Sequence, residues 1–174
     1  MRKTWIISDE HYNHTNIINL CNRPFKDVEE MNESIIKNHN SVVKNGHLVI
    51  HLGDFCFGNG ENIKSILERL NGDHVIVLGN HDHKSSKKYF EAGFQEVYKY
   101  PVIMEDFYIL SHQPTYLNTS MPYINIHGHL HDTEMSLLND DKNMYYNACV
   151  EKNNYKPIDF EKIKSYYTKN LTND

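Results

Sequence analysis

The sequence predicts a four-layer α/β/β/α sandwich, in which two mixed β-sheets pack against each other and helices flank them. Short, continuously apolar runs rich in β-branched residues alternate with amphipathic helical patterns in the first half of the chain. Such runs are typical of strands that are covered on both faces. The second half is mostly strand-like and closes with a helical pattern, which predicts two packed sheets with flanking helices. Because 174 residues suffice for one core and are few for two, we expect a single domain over residues 1–174.

The first half of the chain alternates strands and helices. Three apolar runs predict buried strands at residues 4–9, 47–52 and 74–79. Between the first two strands, residues 27–43 carry apolar side chains at helical spacing, and Asp27 is a suitable N-cap. Between the next two strands, residues 61–72 repeat this pattern, and Gly72 is placed to end the helix.

Turn residues separate the strand-like runs of the second half. A short helix is predicted at residues 87–94. Strands are predicted at residues 96–105, 106–112, 123–129 and 144–150. A closing helix is predicted over residues 157–170, with Pro157 near its start.

Composition restricts the classes of partner. The net charge of −5, with 18 basic residues, provides no broad cationic face for nucleic acid. The chain has no apolar run near the roughly 20 residues that span a bilayer, and its first residues do not resemble a signal peptide. Three cysteines without CxxC spacing indicate a reducing compartment, so we expect a cytoplasmic protein. We also expect that it binds no membrane and that it is a monomer or a homodimer.

The polar side chains that carry chemistry follow five successive predicted strands. Each strand end is followed by Asp, Asn or His, and the chain has 12 histidines in all. Because the carboxyl ends of strands in open α/β sheets meet in one crevice, we expect these side chains to converge. The set consists of Asp9, His11, Asp54, Asn80, His81, His112, His129 and His131. Oxygen and imidazole donors without thiolate indicate a catalytic site for Mn, Fe, Zn or a similar ion, rather than a closed structural zinc site.

Spacing within two of these motifs indicates paired ligands. In "DEH", one residue separates Asp9 from His11, and in "HLH" one residue separates His129 from His131. On an extended segment this spacing places both side chains on the same side, so each pair is predicted to bind an ion together.

The motif "GNHD" has adjacent donors whose side chains diverge. We expect Asn80 to face a metal ion and His81 to point away from it, free to act as an acid or a base. Glycines precede three of the donor motifs, and we expect them to let the backbone turn sharply at the strand ends. They are Gly53, Gly79 and Gly128.

These motifs together resemble those of the calcineurin-like metallophosphoesterase superfamily. The segments "DEH", "GD", "GNHD", a lone His112 and "GHLH" occur in the order and at the spacings of that superfamily, over residues 9–131. The short chain and the stretch "HTNIINLCNRPF" are similar to the small bacterial and phage predicted phosphoesterases. Each motif alone is weak, whereas five in order make the resemblance specific.

The resemblance implies a role for each matching residue. One ion would be bound by Asp9, His11 and His131, and the other by Asn80, His112 and His129. Asp54 would bridge the two ions. His81 would donate a proton to the leaving group, and Asp82 beside it would tune the charge or orientation of His81.

The resemblance also implies hydrolysis of phosphate esters with two divalent metal ions as the cofactor, for which we favour Mn. Ions about 3.5–4 Å apart would activate a bridging hydroxide that attacks phosphorus. Because the chain has no large inserted cap, we expect a phosphodiesterase acting on a small phosphorylated or nucleotide substrate. A phosphomonoesterase, a protein phosphatase and a non-catalytic metal-binding interaction scaffold are the alternatives.

Two residues after the first motif are candidates for substrate binding. His14 and Arg23 lie in the segment that leaves Asp9, and arginine suits bidentate contacts to phosphate. The alternative for Arg23 is an internal contact that caps or pairs with a helix.

The remaining histidines and the cysteines are expected to be structural. We interpret His39, His47, His74 and His83 as surface or helix-end residues. His51 and His127 lie inside strands and are interpreted as hydrogen-bonded core residues. The cysteines are interpreted as small buried apolar residues, and Cys56 alone is close enough to Asp54 to be considered as an oxidation sensor.

Overall fold

A computed structural model of the protein describes residues 2–82, 85–118, 120, 123–135 and 144–171, with the side chains of the last helix described as far as residue 167. These residues form nine strands and five α-helices. The strands are β1 (Thr4–Ile7), β2 (Leu48–His51), β3 (Asp73–Val77), β4 (Glu96–Tyr98), β5 (Val102–Met104), β6 (Tyr108–Ser111), β7 (Ile124–His127), β8 (Tyr145–Asn147) and β9 (Ile158–Asp159). The helices are α1 (Thr15–Leu20), α2 (Val28–Val42), α3 (Gly60–Leu67), α4 (Ser86–Ala92) and α5 (Phe160–Leu171).

The strands form two mixed sheets. The first sheet has the order β4-β3-β2-β1-β9, in which β1 to β4 are parallel and β9 is antiparallel to β1. The second sheet has the order β5-β6-β7-β8, in which β6, β7 and β8 are parallel and β5 is antiparallel to β6. The predicted α/β fold with two mixed sheets and flanking helices is therefore confirmed.

Successive side chains of the parallel strands point to opposite faces of the first sheet, and apolar side chains form a core on each face. Ile6 and Ile50 pack with Leu110 and Ile126 of the second sheet, and Phe160 of α5 joins this cluster. The other face of the first sheet packs against apolar side chains of α2, α3 and α4. Because both faces are covered, the central strands are continuously apolar, as the sequence pattern indicates.

The four predicted helices are present and differ from the prediction near their ends, and one further helix is present. Asp27 caps α2, since its Oδ1 accepts a 2.8 Å hydrogen bond from the backbone N–H of Glu30. Helix α3 ends five residues before Gly72, and Asn59 forms a capping box at its start. Helix α1 was not predicted, because its single turn and a half buries one residue, Ile17, and so lacks a periodic apolar face.

Two predicted elements are divided in the structure. The run 96–105 is broken at residues 99–101, so that β4 belongs to the first sheet and β5 to the second. The closing helix begins at Phe160, because Ile158 and Asp159 first pair with β1 as an edge strand. None of the described helices is long and apolar enough to cross a membrane.

Candidate metal centre

The backbone at the strand ends adopts the left-handed conformation at five predicted ligands. The φ angles are 60° at Asp9, 51° at His11, 54° at Asp54, 68° at His129 and 51° at His131. The expectation that "DEH" and "HLH" are extended is therefore wrong. Non-glycine residues in this region cost about 1–3 kcal/mol each and persist where the surroundings impose them, which is frequent at functional sites.

One carboxylate oxygen of Asp9 is held by three donors. Its Oδ2 accepts hydrogen bonds from Ser8 Oγ at 2.5 Å, from the backbone N–H of His129 at 2.9 Å and from Cys149 Sγ at 3.2 Å. These contacts join the end of β1 to the segments after β7 and β8. They fix the carboxylate so that its second oxygen, Oδ1, faces the site.

The Oδ1 atom of Asp9 faces two imidazoles at distances that suit a shared ion. It lies 4.0 Å from His11 Nε2 and 3.8 Å from His131 Nε2. Ligand atoms of the three residues all lie within 4.8 Å of one another. Because divalent ions bind nitrogen and oxygen at about 2.0–2.2 Å, ligand atoms on one ion are about 3–4 Å apart.

Asp54 lies between this group and a second one. Its Oδ2 is 3.5 Å from His11 Nε2 and 3.4 Å from His112 Nε2, while its Oδ1 accepts a 2.9 Å hydrogen bond from the backbone N–H of His81. Ligand atoms of Asp9, Asp54 and His112 also lie within 4.8 Å of one another. One carboxylate oxygen thus faces both groups.

The second group includes Asn80 and His129. His112 Nδ1 donates to the backbone oxygen of Leu52 at 2.8 Å, and this fixed contact leaves the Nε2 lone pair free. Asn80 Oδ1 is 2.8 Å from that Nε2, and the ring of His129 is 5.1 Å from the ring of His112. The structure therefore brings together all seven predicted ligands.

Three glycines make this convergence sterically feasible. Gly53 has φ +90°, which glycine adopts without strain, and it is the sharp turn that we expected. Gly79 and Gly128 have ordinary φ angles, and glycine is needed there because neighbouring atoms leave no space for a Cβ atom. A Cβ on Gly79 would collide with the Asp54 carboxylate, and a Cβ on Gly128 would collide with Ser8 Oγ.

The donor set fits a divalent cation. Asp9 Oδ1 and His11 Nε2 are buried and have no hydrogen-bond partner among the described residues. Burial, followed by the charges of Arg23 and His131, lowers the pKa of His11 to about 2, so its imidazole is neutral. Buried polar atoms without partners are unfavourable, and a bound ion would satisfy them.

Glu151 is a site residue that the sequence interpretation missed. Its Oε1 accepts hydrogen bonds from Arg23 Nε at 3.0 Å, from Arg23 Nη2 at 2.7 Å and from His131 Nδ1 at 2.9 Å. Burial alone would raise the pKa of Glu151, but the His131 hydrogen bond and the Arg23 charge outweigh it and lower that pKa. Its position just past β8 could have indicated this role, because the carboxyl ends of the strands converge in one crevice, and the other predicted ligands were found by that rule.

Arg23 has an internal role, which corrects its assignment to substrate binding. The side chain is buried, and its guanidinium also donates to the backbone oxygens of Asp9 at 2.7 Å and Glu10 at 2.8 Å. A buried guanidinium is satisfied here by Glu151 and by two carbonyls, so it is not directed at a substrate. The contacts support the "DEH" loop from behind.

His81 and His14 lie over the first group of ligands. The ring of His81 is exposed and lies 5.5 Å from the ring of His11 and 6.4 Å from that of His14. His14 Nδ1 is 3.3 Å from His11 Nδ1, and its ring stacks on Phe57 at 4.3 Å. Both side chains therefore border the site at the same flank.

Asp82 supports the Asp54 loop through its own hydrogen bonds, and its predicted influence on His81 stays a prediction. Its carboxylate accepts hydrogen bonds from the backbone N–H groups of Asp54 at 2.7 Å, Phe55 at 3.1 Å and Gly79 at 2.8 Å. Tyr89 donates a fourth at 2.9 Å. In the described part of the chain, no hydrogen bond joins Asp82 to His81.

Cys21 is half-buried rather than buried, in contrast to Cys56 and Cys149. A ligand atom of Cys21 lies within 4.8 Å of such atoms of His131 and Glu151. Because the Arg23 guanidinium already neutralises Glu151, we interpret this group as the surroundings of His131 rather than as a separate cation site.

The structure places a second set of histidines in the interior. His39 and His74 are buried, so neither is a surface residue. His39 lies in the last turn of α2, as the helix-end interpretation predicts, whereas His74 lies inside β3, so both parts of its interpretation are wrong. His51 Nδ1 lies 2.5 Å from Glu10 Oε1, and His51 Nε2 lies 3.0 Å from His74 Nδ1. The prediction of a hydrogen-bonded core residue is confirmed for His51.

Three further histidines were interpreted from the sequence. His127 is buried with its Nδ1 2.8 Å from the backbone oxygen of Gly128, which confirms the prediction for it. His47 is half-buried, and its Nδ1 accepts a 3.0 Å hydrogen bond from Trp5. His83 lies outside the described residues.

Comparison with known proteins agrees with this geometry. Residues 2–167 match the calcineurin-like phosphoesterase family. An uncharacterized protein of Methanocaldococcus jannaschii is 40% identical over 170 residues, which cover 94% of this chain and 90% of that protein.

Two solved structures have a similar fold. The crystal structure of a protein of unknown function from Aquifex aeolicus has a TM-score of 0.74 and 29% identity, and the match covers 95% of this chain and all of the other. The crystal structure of a Pseudomonas putida nuclease has a TM-score of 0.51 and 19% identity, covering 74% of this chain and 61% of that one. At this low identity the second likeness shows the fold alone.

Proposed function

This chain belongs to the calcineurin-like phosphoesterase family, and from that membership we propose that it hydrolyses phosphodiesters of nucleotide type with two divalent metal ions. The family supports a metal-dependent phosphoesterase in general. The number of ions and the substrate class are inferred from the arrangement of the site.

The observation that carries the proposal is the position of Asp54. Its Oδ2 lies 3.5 Å from His11 Nε2 and 3.4 Å from His112 Nε2. The two imidazoles belong to different ligand groups. A carboxylate oxygen placed between two groups can bridge two ions and fix their separation.

The remaining side chains divide between the two positions. The first ion would be held by Asp9, His11 and His131, and the second by Asn80, His112 and His129. When bound, two such ions neutralise the charge of a phosphate ester and provide a nucleophile from water near pH 7. We favour Mn²⁺, because mixed oxygen and imidazole donors without thiolate suit it.

His81 is placed to hold the proton that the leaving group takes. Its ring is exposed at the flank of the site, and its backbone N–H is tied to Asp54 Oδ1. The backbone contact keeps the residue in place while the ring stays available to a substrate. General acid catalysis of this kind contributes roughly 10²- to 10⁴-fold.

The decisive experiment compares His81→Ala with the unmodified protein. We expect turnover of bis-p-nitrophenyl phosphate with added Mn²⁺ to fall by about 10²- to 10⁴-fold. Metal content, measured by mass spectrometry after gel filtration, should not change, because His81 is not among the ligands. Loss of metal together with activity would contradict the assigned role, and His47→Ala is the matched histidine control.

Substrate class is tested with two model esters. We expect faster hydrolysis of the diester bis-p-nitrophenyl phosphate than of the monoester p-nitrophenyl phosphate. A preference for the monoester would favour a phosphomonoesterase or a protein phosphatase. Inactivity on both esters, with metal bound, would favour an interaction scaffold.

A further inference from the structure

A cleft adjoins the second group of ligands. It has a volume of about 330 Å³ and lies between the segment after β3, the β4–β5 link and the segment after β6. Asn80 and His112, two of the predicted ligands, form part of its wall. A phosphate bound at the ligands would therefore have its attached group beside the opening of this cleft.

The β4–β5 link provides an aromatic ring and a cation. Tyr100 is 79% exposed, so its ring is not used for packing in the core. Lys99 beside it is exposed and forms no ion pair with any described residue. Pro101 follows, and all three residues line the cleft.

The opposite wall provides an amide on a fixed backbone. Gln113 lines the cleft and is exposed. Its backbone oxygen accepts a 2.7 Å hydrogen bond from Ser111 Oγ. Two residues later, the backbone N–H of Thr115 donates to Asn125 Oδ1 at 2.8 Å, and its backbone oxygen accepts from Tyr145 at 3.0 Å. These contacts preorganise the wall, which reduces the entropy lost on binding.

We propose that this cleft binds the nucleoside group of the substrate, with the base stacked on Tyr100 and its edge contacted by Lys99 and Gln113. The proposal rests on the proposed function, since the phosphate is taken to lie at the ligands. A base presents a planar face together with carbonyl and ring-nitrogen acceptors, which match an exposed phenol ring, an ammonium and an amide.

The volume of the cleft suits one nucleoside. About 330 Å³ is at the lower end of the roughly 300–1,000 Å³ of small-molecule sites. The chain carries a net charge of −5, so it lacks the cationic surface that tracks a longer nucleic-acid backbone. Lys99 is a single local cation, which can contact one base but cannot neutralise the successive phosphates of a nucleic-acid strand.

The position of His81 indicates which ester group the cleft retains. The His81 ring lies on the His11 and His14 side, whereas the cleft lies on the Asn80 and His112 side. In a diester the P–O bond nearest His81 breaks, water adds to phosphorus, and the leaving oxygen takes a proton. The nucleoside in the cleft then remains on the phosphate, and the product is a nucleoside monophosphate.

The test measures product binding, which does not depend on turnover. Adenosine 5′-monophosphate, uridine 5′-monophosphate and ribose 5-phosphate are titrated into the full-length, Mn²⁺-loaded protein by calorimetry. We expect at least one nucleotide to bind about tenfold more tightly than ribose 5-phosphate, the fold-change typical of one base–aromatic stack. Tyr100→Ala should reduce this ratio to less than about twofold.

Control variants separate the cleft from general effects. Tyr166→Ala removes an exposed tyrosine that does not line the cleft, and Lys44→Ala removes an exposed lysine in the loop that follows α2. Both should keep the full ratio, whereas Lys99→Ala and Gln113→Ala should reduce it. Thermal unfolding of Tyr100→Ala should match the unmodified protein, because the ring is exposed.

Three outcomes would be decisive. Equal affinity for the nucleotides and ribose 5-phosphate overturns the proposal, and so does an unchanged ratio in Tyr100→Ala. Base-dependent binding that Tyr100→Ala removes supports it, even where no ester is hydrolysed. Inactivity on all esters with base-dependent binding would thus refute the proposed function and leave the cleft assignment supported.

Discussion

Two groups of histidines use the same side chain in opposite ways. The strand-end cluster comprises His11, His112, His129 and His131, and the core cluster comprises His39, His51 and His74 between the first sheet and the helices. In the core cluster, His51 is hydrogen-bonded on both sides, to Glu10 at 2.5 Å and to His74 at 3.0 Å. In the strand-end cluster, the Nε2 atoms of His11, His112 and His131 lie 3.4–4.0 Å from the carboxylate oxygens of Asp9 or Asp54.

The clusters differ in how far an imidazole nitrogen lies from the carboxylate that it faces: His51 Nδ1 is 2.5 Å from Glu10, whereas the Nε2 atoms that face Asp9 and Asp54 are 3.4–4.0 Å away. A nitrogen 2.5–3.0 Å from its partner is satisfied by a hydrogen bond. A nitrogen 3.4–4.0 Å from a carboxylate is too far for a strong hydrogen bond and suits an ion between the two atoms. Residue type alone therefore does not identify a metal ligand in a chain with 12 histidines.

The largest effect is expected from removing the shared carboxylate of the strand-end cluster. Asp54→Asn removes the negative charge and replaces one of the two carboxylate oxygens with an amide NH₂, so we expect activity to fall on the order of 10³-fold and metal content to drop. Mass spectrometry and diester hydrolysis measure the two effects. Asp73→Asn, at an exposed carboxylate paired with Arg2, is the matched control. Two ions retained in Asp54→Asn would contradict the bridging role.

The next largest effect is expected in the core cluster. His51→Phe removes the partner of the buried Glu10 carboxyl, so we expect a loss of about 3 kcal/mol in the free energy of unfolding of the metal-free protein. His129→Phe, in the strand-end cluster, should cost less than about 1 kcal/mol and should lower metal content instead. Chemical denaturation of both variants measures the contrast, and equal losses would remove the distinction between the clusters.

A smaller effect should come from Glu151, which positions His131. Glu151→Gln keeps the shape and loses the charge that orients His131 Nδ1–H, so we expect metal affinity to fall about 10- to 100-fold. Competition with a chelator measures the affinity without any substrate. Glu68→Gln, an exposed glutamate after α3, should not change it. Unchanged affinity in Glu151→Gln would mean that Arg23 and the backbone alone position His131.

A further effect is expected only in acid, where the stability of the core cluster should depend on pH. Burial lowers the pKa of His39 to about 4, below its usual value, so the unfolded chain binds a proton at a pH where the folded protein does not. The stabilisation is complete above about pH 6.5 and is lost as the pH falls toward 4, at about 1.4 kcal/mol per pH unit.

Replacement of His39 isolates this contribution. His39→Gln should reduce the slope of the unfolding free energy against pH between pH 6 and 4. The reduction should be at most about 1.4 kcal/mol per pH unit, which corresponds to one bound proton. Lys37→Gln on the same helix changes no histidine and should keep the original slope. An unchanged slope in His39→Gln would show that this residue is not the source of the acid sensitivity.

Structural features that depend on residues close together in the chain were predicted well from the sequence. Continuously apolar runs located β1, β2 and β3, because strands between two layers have no polar face. The rule that parallel strands end in one crevice brought together the predicted ligands from Asp9 to His131, although the backbone of five of them is left-handed rather than extended. Helix α1 and the edge strand β9 were not predicted, because neither has a periodic pattern of sufficient length.

The sequence by itself determined the order of the longer strands and helices, without α1, β9 and the division of residues 96–105 into two strands. It also determined the polar residues that follow the strands, since both features depend on neighbours in the chain. Only the tertiary structure decided that His51 is buried against Glu10 and that other histidines face Asp9 and Asp54. It also decided that Arg23 joins Glu151, 128 residues away, instead of a substrate. These distinctions depend on distances between segments far apart in the chain, and such distances exist only once the two sheets have packed.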